Sequence, residues 1–171
     1  MEKDDVFLRT VEPEDASLLF LWENTPEVMR VSGRTTTYSL PEIQSYIANA
    51  KEVKTLGQLR FMICKSSNEA PIGTIDLYDM NFTAKNAGIG VLIMDKKERN
   101  NGFASQAIEK CIAIGVTKYE IVNYFCVIHA SNHPSVKLFE KNGFERIGVR
   151  KKWYIVDGKW EDELMYQRIE D

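Results

Sequence analysis

Arg99-Asn100-Asn101-Gly102-Phe103-Ala104-Ser105 stands between two hydrophobic periods. Before it, Ile89 to Met94 is an apolar run of strand length. After it, Ala104, Ala107, Ile108, Cys111, Ile112 and Gly115 recur at helical spacing. A strand that passes into a helix through a glycine loop brings backbone N–H groups and the positive end of the helix dipole to one place. That is the local chemistry of an anion site. Gly102 lets the backbone approach a phosphate closely, while Arg99 either adds its charge or points to solvent. One glycine and one arginine in a loop are common, so the order of elements around them carries the argument.

Upstream, Phe7 to Val11 reads as a first strand, and Pro13 begins a helix bearing Ala16, Leu19, Phe20 and Trp22 along one side. Pro26 to Tyr38 has no clean period and is expected to be a surface loop. Ser39 and Glu42 fit a capping box that opens a second helix through Ile43 and Ile47. Leu59–Lys65, Ile72–Tyr78 and about Ala87–Met94 read as three strands separated by polar turns. Downstream, Tyr124–Ile128 is apolar on both faces, as a central strand would be. Pro134 then lies early in a helix that closes at Asn142-Gly143. Asp157-Gly158 joins two last strands, about 148–156 and 159–169, as a hairpin. The predicted order is β-α-α-β-β-β-α-β-α-β-β in one domain over residues 1–171.

Composition narrows the function class. A chain of 171 residues, 44% hydrophobic and 27% charged, has the length and composition of one globular domain with a sizeable core. A net charge of −3, from 22 basic and 25 acidic residues, gives no support to a nucleic-acid binder. The start Met1-Glu2-Lys3-Asp4-Asp5 lacks the apolar centre of a signal peptide, and no apolar run approaches a membrane span. A cytoplasmic protein with no membrane partner is expected. Cys64, Cys111 and Cys126 each sit in an apolar run without Cys-x-x-Cys spacing, which predicts buried free thiols and no metal site.

The Arg-x-x-Gly-x-Ala pattern of Arg99–Ala104 resembles the pyrophosphate loop of the GNAT N-acetyltransferases, which use acetyl-CoA. Four further stretches occur in the family's order: Ile72 to Leu77, Ile89 to Ile93, Asn132 to Phe144, and Trp153 to Asp162. The chain is most similar to the branch that holds ribosomal-protein N-terminal and spermidine acetyltransferases. The resemblance implies an α/β (α+β) fold. Its mixed central sheet would have about seven strands, with two central parallel strands splayed apart and helices on the flanks. It also implies acetyl-CoA as co-substrate, no metal, an amine acceptor and, from the branch, a homodimer.

The same resemblance assigns the site. Backbone groups of Leu92, Ile93 and Met94 would pair with the pantetheine arm, one N–H polarising the thioester carbonyl. Arg99, Asn100, Asn101, Gly102, Phe103, Ala104 and Ser105 would hold the pyrophosphate. Asn132 would contact the cofactor, although asparagine before Pro134 also suits a helix N-cap. Many family members carry a tyrosine at the position of Phe139, placed to protonate the departing thiolate. Phenylalanine has no proton to give, so Phe139 is left as a cofactor contact. Ser135, one turn earlier, offers a hydroxyl or serves as a capping residue.

Asp76 stands where polyamine-acetylating relatives place a glutamate. On a period of two it faces opposite to Ile75 and Leu77, either as the general base toward the acceptor or as a surface aspartate. Relatives often have an acid near Gly88, where this chain has none. His129 is a second candidate base, with a polar strand end as the alternative. In relatives the hairpin carrying Trp153, Tyr154 and Trp160 lines the acceptor site or a subunit contact; for any one of these aromatics, core packing is the default. Asp162 matches a branch pattern without an assigned role. The acids Glu12, Glu14, Asp15, Glu23 and Glu27 would suit a polyamine, whereas Arg146, Arg150, Lys151 and Lys152 would suit an acidic surface. The leading expectation is direct acetyl transfer to a primary amine, at a protein N-terminus or on a small molecule. The loss of a tyrosine at Phe139 keeps a second class open, a catalytically inactive acyl-CoA-binding sensor or interaction module. A phosphopeptide or nucleotide site at the same loop is a third.

Overall fold

The Ser39 hydroxyl and Glu42 carboxylate exchange hydrogen bonds with each other's backbone N–H, so the capping box forms as the spacing requires. Such local signals set most element boundaries in the computed structural model, which describes residues 5–171. The charged start Met1 to Asp4 lies outside the described residues. In chain order the elements begin with β1 (Val6–Thr10), a 3-10 turn (Pro13–Asp15), α1 (Ala16–Glu23), α2 (Pro26–Val31), α3 (Leu40–Asn49) and α4 (Val53–Leu56). They continue with β2 (Leu59–Lys65), β3 (Pro71–Asn81), β4 (Asn86–Ile93), α5 (Phe103–Tyr119) and β5 (Asn123–His129). The last are α6 (His133–Lys141), β6 (Glu145–Val156) and β7 (Lys159–Ile169).

Two of these helices depart from expectation. Pro26 to Tyr38 is not all loop: Thr25 accepts from the Val28 N–H and Pro26 takes the first turn, which starts α2. The helix buries only Val28, so it has no apolar period to read. The single turn α4 escapes notice for the same reason, burying only Val53.

The seven strands form one sheet in the order β1-β2-β3-β4-β5-β7-β6. All neighbours are antiparallel except β4 and β5. β5 is therefore interior, as its two apolar faces predict. On one face α5 covers Phe61, Ile63, Ile75, Leu77 and Ile89, joined by Ala107, Ile108, Cys111 and Ile112 of its own. On the other, α1 and α3 cover Met62 and Cys64 with Leu19, Ile43 and Ile47. The three cysteines are buried free thiols. Among the described residues no helix is long and apolar enough to cross a membrane.

Candidate active site

β4 and β5 pair only at Asn86/Asn123, Ala87/Tyr124 and Gly88/Phe125. Beyond that point each keeps its other neighbour but loses the first: β4 stays on β3 out to Ile93, and β5 stays on β7 out to His129. A gap opens in the middle of the sheet. Hydrogen-bonded pairs alternate along an antiparallel ladder. The Met94 N–H donates to the Ile72 carbonyl at 2.8 Å, so Met94 and Leu92 direct their backbone groups at β3. The edges of Val91 and Ile93 then face the gap. This corrects the expectation for Leu92 and Met94, whose backbone donors belong to the sheet.

Gly102 stands directly before α5 with φ +85°, a conformation that favours glycine. No side chain caps this helix, and its first intrahelical donor is Gln106, to the Gly102 carbonyl at 3.1 Å. The N–H groups of Phe103, Ala104 and Ser105 precede that donor and are left for a ligand. The cleft that joins this helix end to the gap holds about 570 Å³. Leu92, Ile93, Arg99, Asn100, Gly102 to Ser105, Asn132 and Ser135 all line it. Asn101 is not in the lining; its amide leans on the Lys97 carbonyl. Asn132 accepts from the Ser135 N–H as N-cap of α6, and it also lines the cleft.

Arg99 does more than carry charge. Its Nε donates to the Ile93 carbonyl at 2.8 Å and its Nη1 to Glu27 Oε1 at 2.7 Å. Its Nη2 is buried and has no hydrogen-bond partner among the described residues. A buried guanidinium donor left over beside a helix N-terminus suits an anionic group such as a diphosphate.

A splayed parallel pair, a glycine-led helix N-terminus and a leftover arginine donor occupy one cleft. Residues 5–145 match the family model described as acetyltransferase (GNAT) domain. The chain belongs to the GNAT family of N-acetyltransferases. It is 27% identical to the uncharacterized N-acetyltransferase YoaA of Bacillus subtilis, across 99% of this chain and 96% of that protein. It is 21% identical to the L-amino acid N-acetyltransferase AaaT of Escherichia coli, across 96% and 98%. Its fold matches the spermidine N-acetyltransferase of Vibrio cholerae, whose crystal structure holds CoA and spermine. There the TM-score is 0.86 with 19% identity, over 97% of this chain and 96% of the other.

Within this GNAT domain the other expected site residues are placed as follows. Asp76 lies on the α1/α3 face of the sheet, but both its oxygens engage Arg60, at 2.5 Å and 3.2 Å. Arg60 also holds Glu23 at 2.6 Å. Burial pushes the Asp76 carboxyl above its ordinary range, against the pull of Arg60. Phe139 is buried edge-on to Phe144 in the core, and Leu138 takes the place in the cleft wall expected of it. Gly88 is bare for a steric reason: a Cβ there would overlap the Tyr78 ring, which itself packs against Phe125. Trp153 and Trp160 are exposed on the hairpin, contrary to the core default.

A second cavity of about 490 Å³ adjoins the first, sharing Glu27, Val31, Arg99 and Asn132 with it. His129 and Glu161 form its far side. Burial raises the Glu161 carboxyl, but hydrogen bonds from Ser131 and His129 outweigh it and hold the group below its ordinary range. In the sequence Glu27 stands only among the early acids that would suit a polyamine, and Glu161 has no expected role. The Thr25-Pro26 cap was a readable signal for the helix that carries Glu27; nothing local marks Glu161.

Proposed function

We propose that this domain transfers an acetyl group from acetyl-CoA directly to a primary amine, either a protein N-terminus or a small molecule. The parting of β4 from β5 beside the N-terminus of α5 carries this reading. A pantetheine arm entering the gap would pair its amides with the exposed edges of Val91 and Ile93, much as a strand would. The Val91 and Ile93 N–H groups are the donors on that edge for the thioester carbonyl, while the Ile93 carbonyl is taken by Arg99. The diphosphate would lie at the first turn of α5 and draw on the leftover Nη2 of Arg99. Transfer then needs only a neutral amine held in line with the carbonyl. Coenzyme A thiolate is a competent leaving group, so the absence of a tyrosine at Phe139 removes a convenient acid without removing the reaction.

The relatives' names span a free amino acid and a polyamine, which supports an amine acceptor and leaves its size open. The early acids argue against reading them as a polyamine attractor. Asp15, Glu23 and Glu27 are each paired with an arginine, namely Arg9, Arg60 and Arg99. On the opposite side, Arg150 and Lys151 are paired with Glu163 and Asp162. Calorimetric titration with CoA and with ADP tests the donor site: tighter binding of CoA supports it, and equal binding favours a nucleotide site. Thiol release from acetyl-CoA is then followed across spermidine, N-terminal peptides, free amino acids and amino sugars. Binding of acetyl-CoA without thiol release from any amine would support the sensor instead.

A further inference from the structure

Among the described residues, two buried side-chain polar atoms lack a hydrogen-bond partner: Arg99 Nη2 and His129 Nε2. An unpartnered buried polar atom forfeits its hydration without recompense, so natural folds keep few of them. Both residues line the second cavity, the one that adjoins the donor cleft. One leftover is a donor on the cleft side. The other is a ring nitrogen at the end of the splayed strand β5.

Two groups hold the imidazole. Tyr154 stacks flat against it, with centroids 4.0 Å apart and planes within 7°. Glu161 Oε2 lies 3.5 Å from Nδ1, and Glu161 is itself fixed by the Ser131 N–H at 2.7 Å. Tyr154 is anchored in turn by its hydroxyl on Glu163, a buried carboxylate also paired with Arg150 at 2.5 Å. A bulge in β6 makes the stacking geometry. Arg150 pairs with Glu163 and Tyr154 with Glu161, so β6 spends two extra residues between those pairs. Asp162 secures the bulge, taking the Lys152 N–H at 2.9 Å and the Lys151 ammonium at 2.7 Å. That contact supplies a role for Asp162. His129 also shares a sheet face with Phe125, and through it with Tyr78 and Asp76.

We propose that the second cavity is the acceptor-amine site and that His129 takes the amine's proton there. The assignment rests on the acetyl-transfer reading above. A carboxylate at Nδ1 keeps the proton on that nitrogen and leaves the lone pair on Nε2. Nε2 removes one proton from the incoming ammonium, directly or through one water, and later returns it to solvent. The neutral amine nitrogen forms the new N–C bond as the thioester C–S bond breaks and its electron pair goes to sulfur. The second proton lost by that nitrogen ends on the thiolate. Asp76, with both oxygens on Arg60, is the weaker candidate for the first step. The charged and titratable groups around the imidazole are Tyr154 and Arg150 of β6, Glu161 and Glu163 of β7, Glu27 and Arg30 of α2, and Lys96 and Arg99 of the loop.

The chain has two histidines, His129 and His133, so ring nitrogen NMR of the wild-type protein reads the assignment without a variant. Neutral His129 should carry its proton on Nδ1, with the exposed His133 as internal reference. A proton on Nε2 overturns the proposal. The kinetic arm uses the amine that the panel turns over. His129→Gln should keep wild-type CoA affinity, lose about a hundredfold in kcat/KM and lose the acidic limb of the pH profile. Glu161→Gln should move that limb. Turnover by His129→Gln with an unchanged rate and profile overturns this assignment alone. No thiol release with any amine overturns the acetyl-transfer reading and this assignment with it.

Discussion

Arg99 and Glu27 are joined at 2.7 Å, and the same guanidinium holds the Ile93 carbonyl at 2.8 Å, which ties α2 to the free edge of β4. One side chain thus links the helix over the acceptor cavity to the strand that would meet the donor. Arg99→Ala should cost about 1 kcal/mol by leaving the carbonyl unpaired, and should weaken CoA binding about tenfold. Arg99→Lys should restore charge without both contacts, because an ammonium lacks the forked geometry. Denaturant melts and calorimetric titration with CoA check the two effects.

The Glu27 carboxyl is held below its ordinary value of 4.5, first by the hydrogen bond from Arg99. A carboxyl depressed in the folded state stabilises the protein above its unfolded value and loses that contribution as pH falls through the folded value. The Glu27 side chain is 42% exposed, so the contribution is small, about 0.5 kcal/mol. The stability difference between wild type and Glu27→Gln should be present at neutral pH and vanish as pH drops below 4.5. Urea titrations from pH 7 down to acid measure it.

Asp76 and Arg60 should behave as a structural pair. Asp76→Ala leaves a largely buried arginine without its bidentate partner and should destabilise by about 3 kcal/mol. Asp76→Leu combined with Arg60→Met should recover much of that loss, since an apolar pair of similar volume can replace a buried ion pair. Full stability in Asp76→Ala with a large fall in kcat would return Asp76 to the role of base.

Gly102 is confined by its φ of +85°. Gly102→Ala should cost about 1–2 kcal/mol in backbone strain. It should also weaken CoA binding more than the binding of any amine, because the strain falls on the loop at the α5 N-terminus. Paired titrations of the variant with CoA and with the accepted amine separate these outcomes.

Gly88 and Tyr78 compete for one volume. Gly88→Asp should destabilise by about 1–3 kcal/mol as the Tyr78 ring is displaced. Tyr78→Ala in the same chain should recover part of the loss. A thermodynamic cycle over the four proteins measures the coupling.

Much of the architecture was legible because its causes are local. Ser39 and Glu42 announce α3, Asp157 and Gly158 announce the last hairpin, and the apolar run from Tyr124 announces an interior strand. α2 shows no hydrophobic period although Thr25 and Pro26 mark its start, since its six residues bury one side chain. In the site, the loop from Arg99 to Ser105 was legible as an anion cradle. Which backbone groups face the gap was not: that depends on ladder parity, and the Met94 to Ile72 hydrogen bond sets it from across the sheet.

Chain sequence alone determined the order of elements, the glycine at the helix N-terminus and the alternation that sends Asp76 away from Ile75. These follow from backbone preferences and short-range spacing. Only the tertiary structure decided that Asp76 is occupied by Arg60, that Arg99 bridges Glu27 and Ile93, and that Tyr154 lies flat on His129 beside Glu161. Those partners are brought together by strand register and by a bulge, and the energy of each contact depends on burial that no single segment creates. The glycine-led helix N-terminus was therefore readable from the chain, while the partners that surround Asp76 and His129 had to wait for the packed sheet.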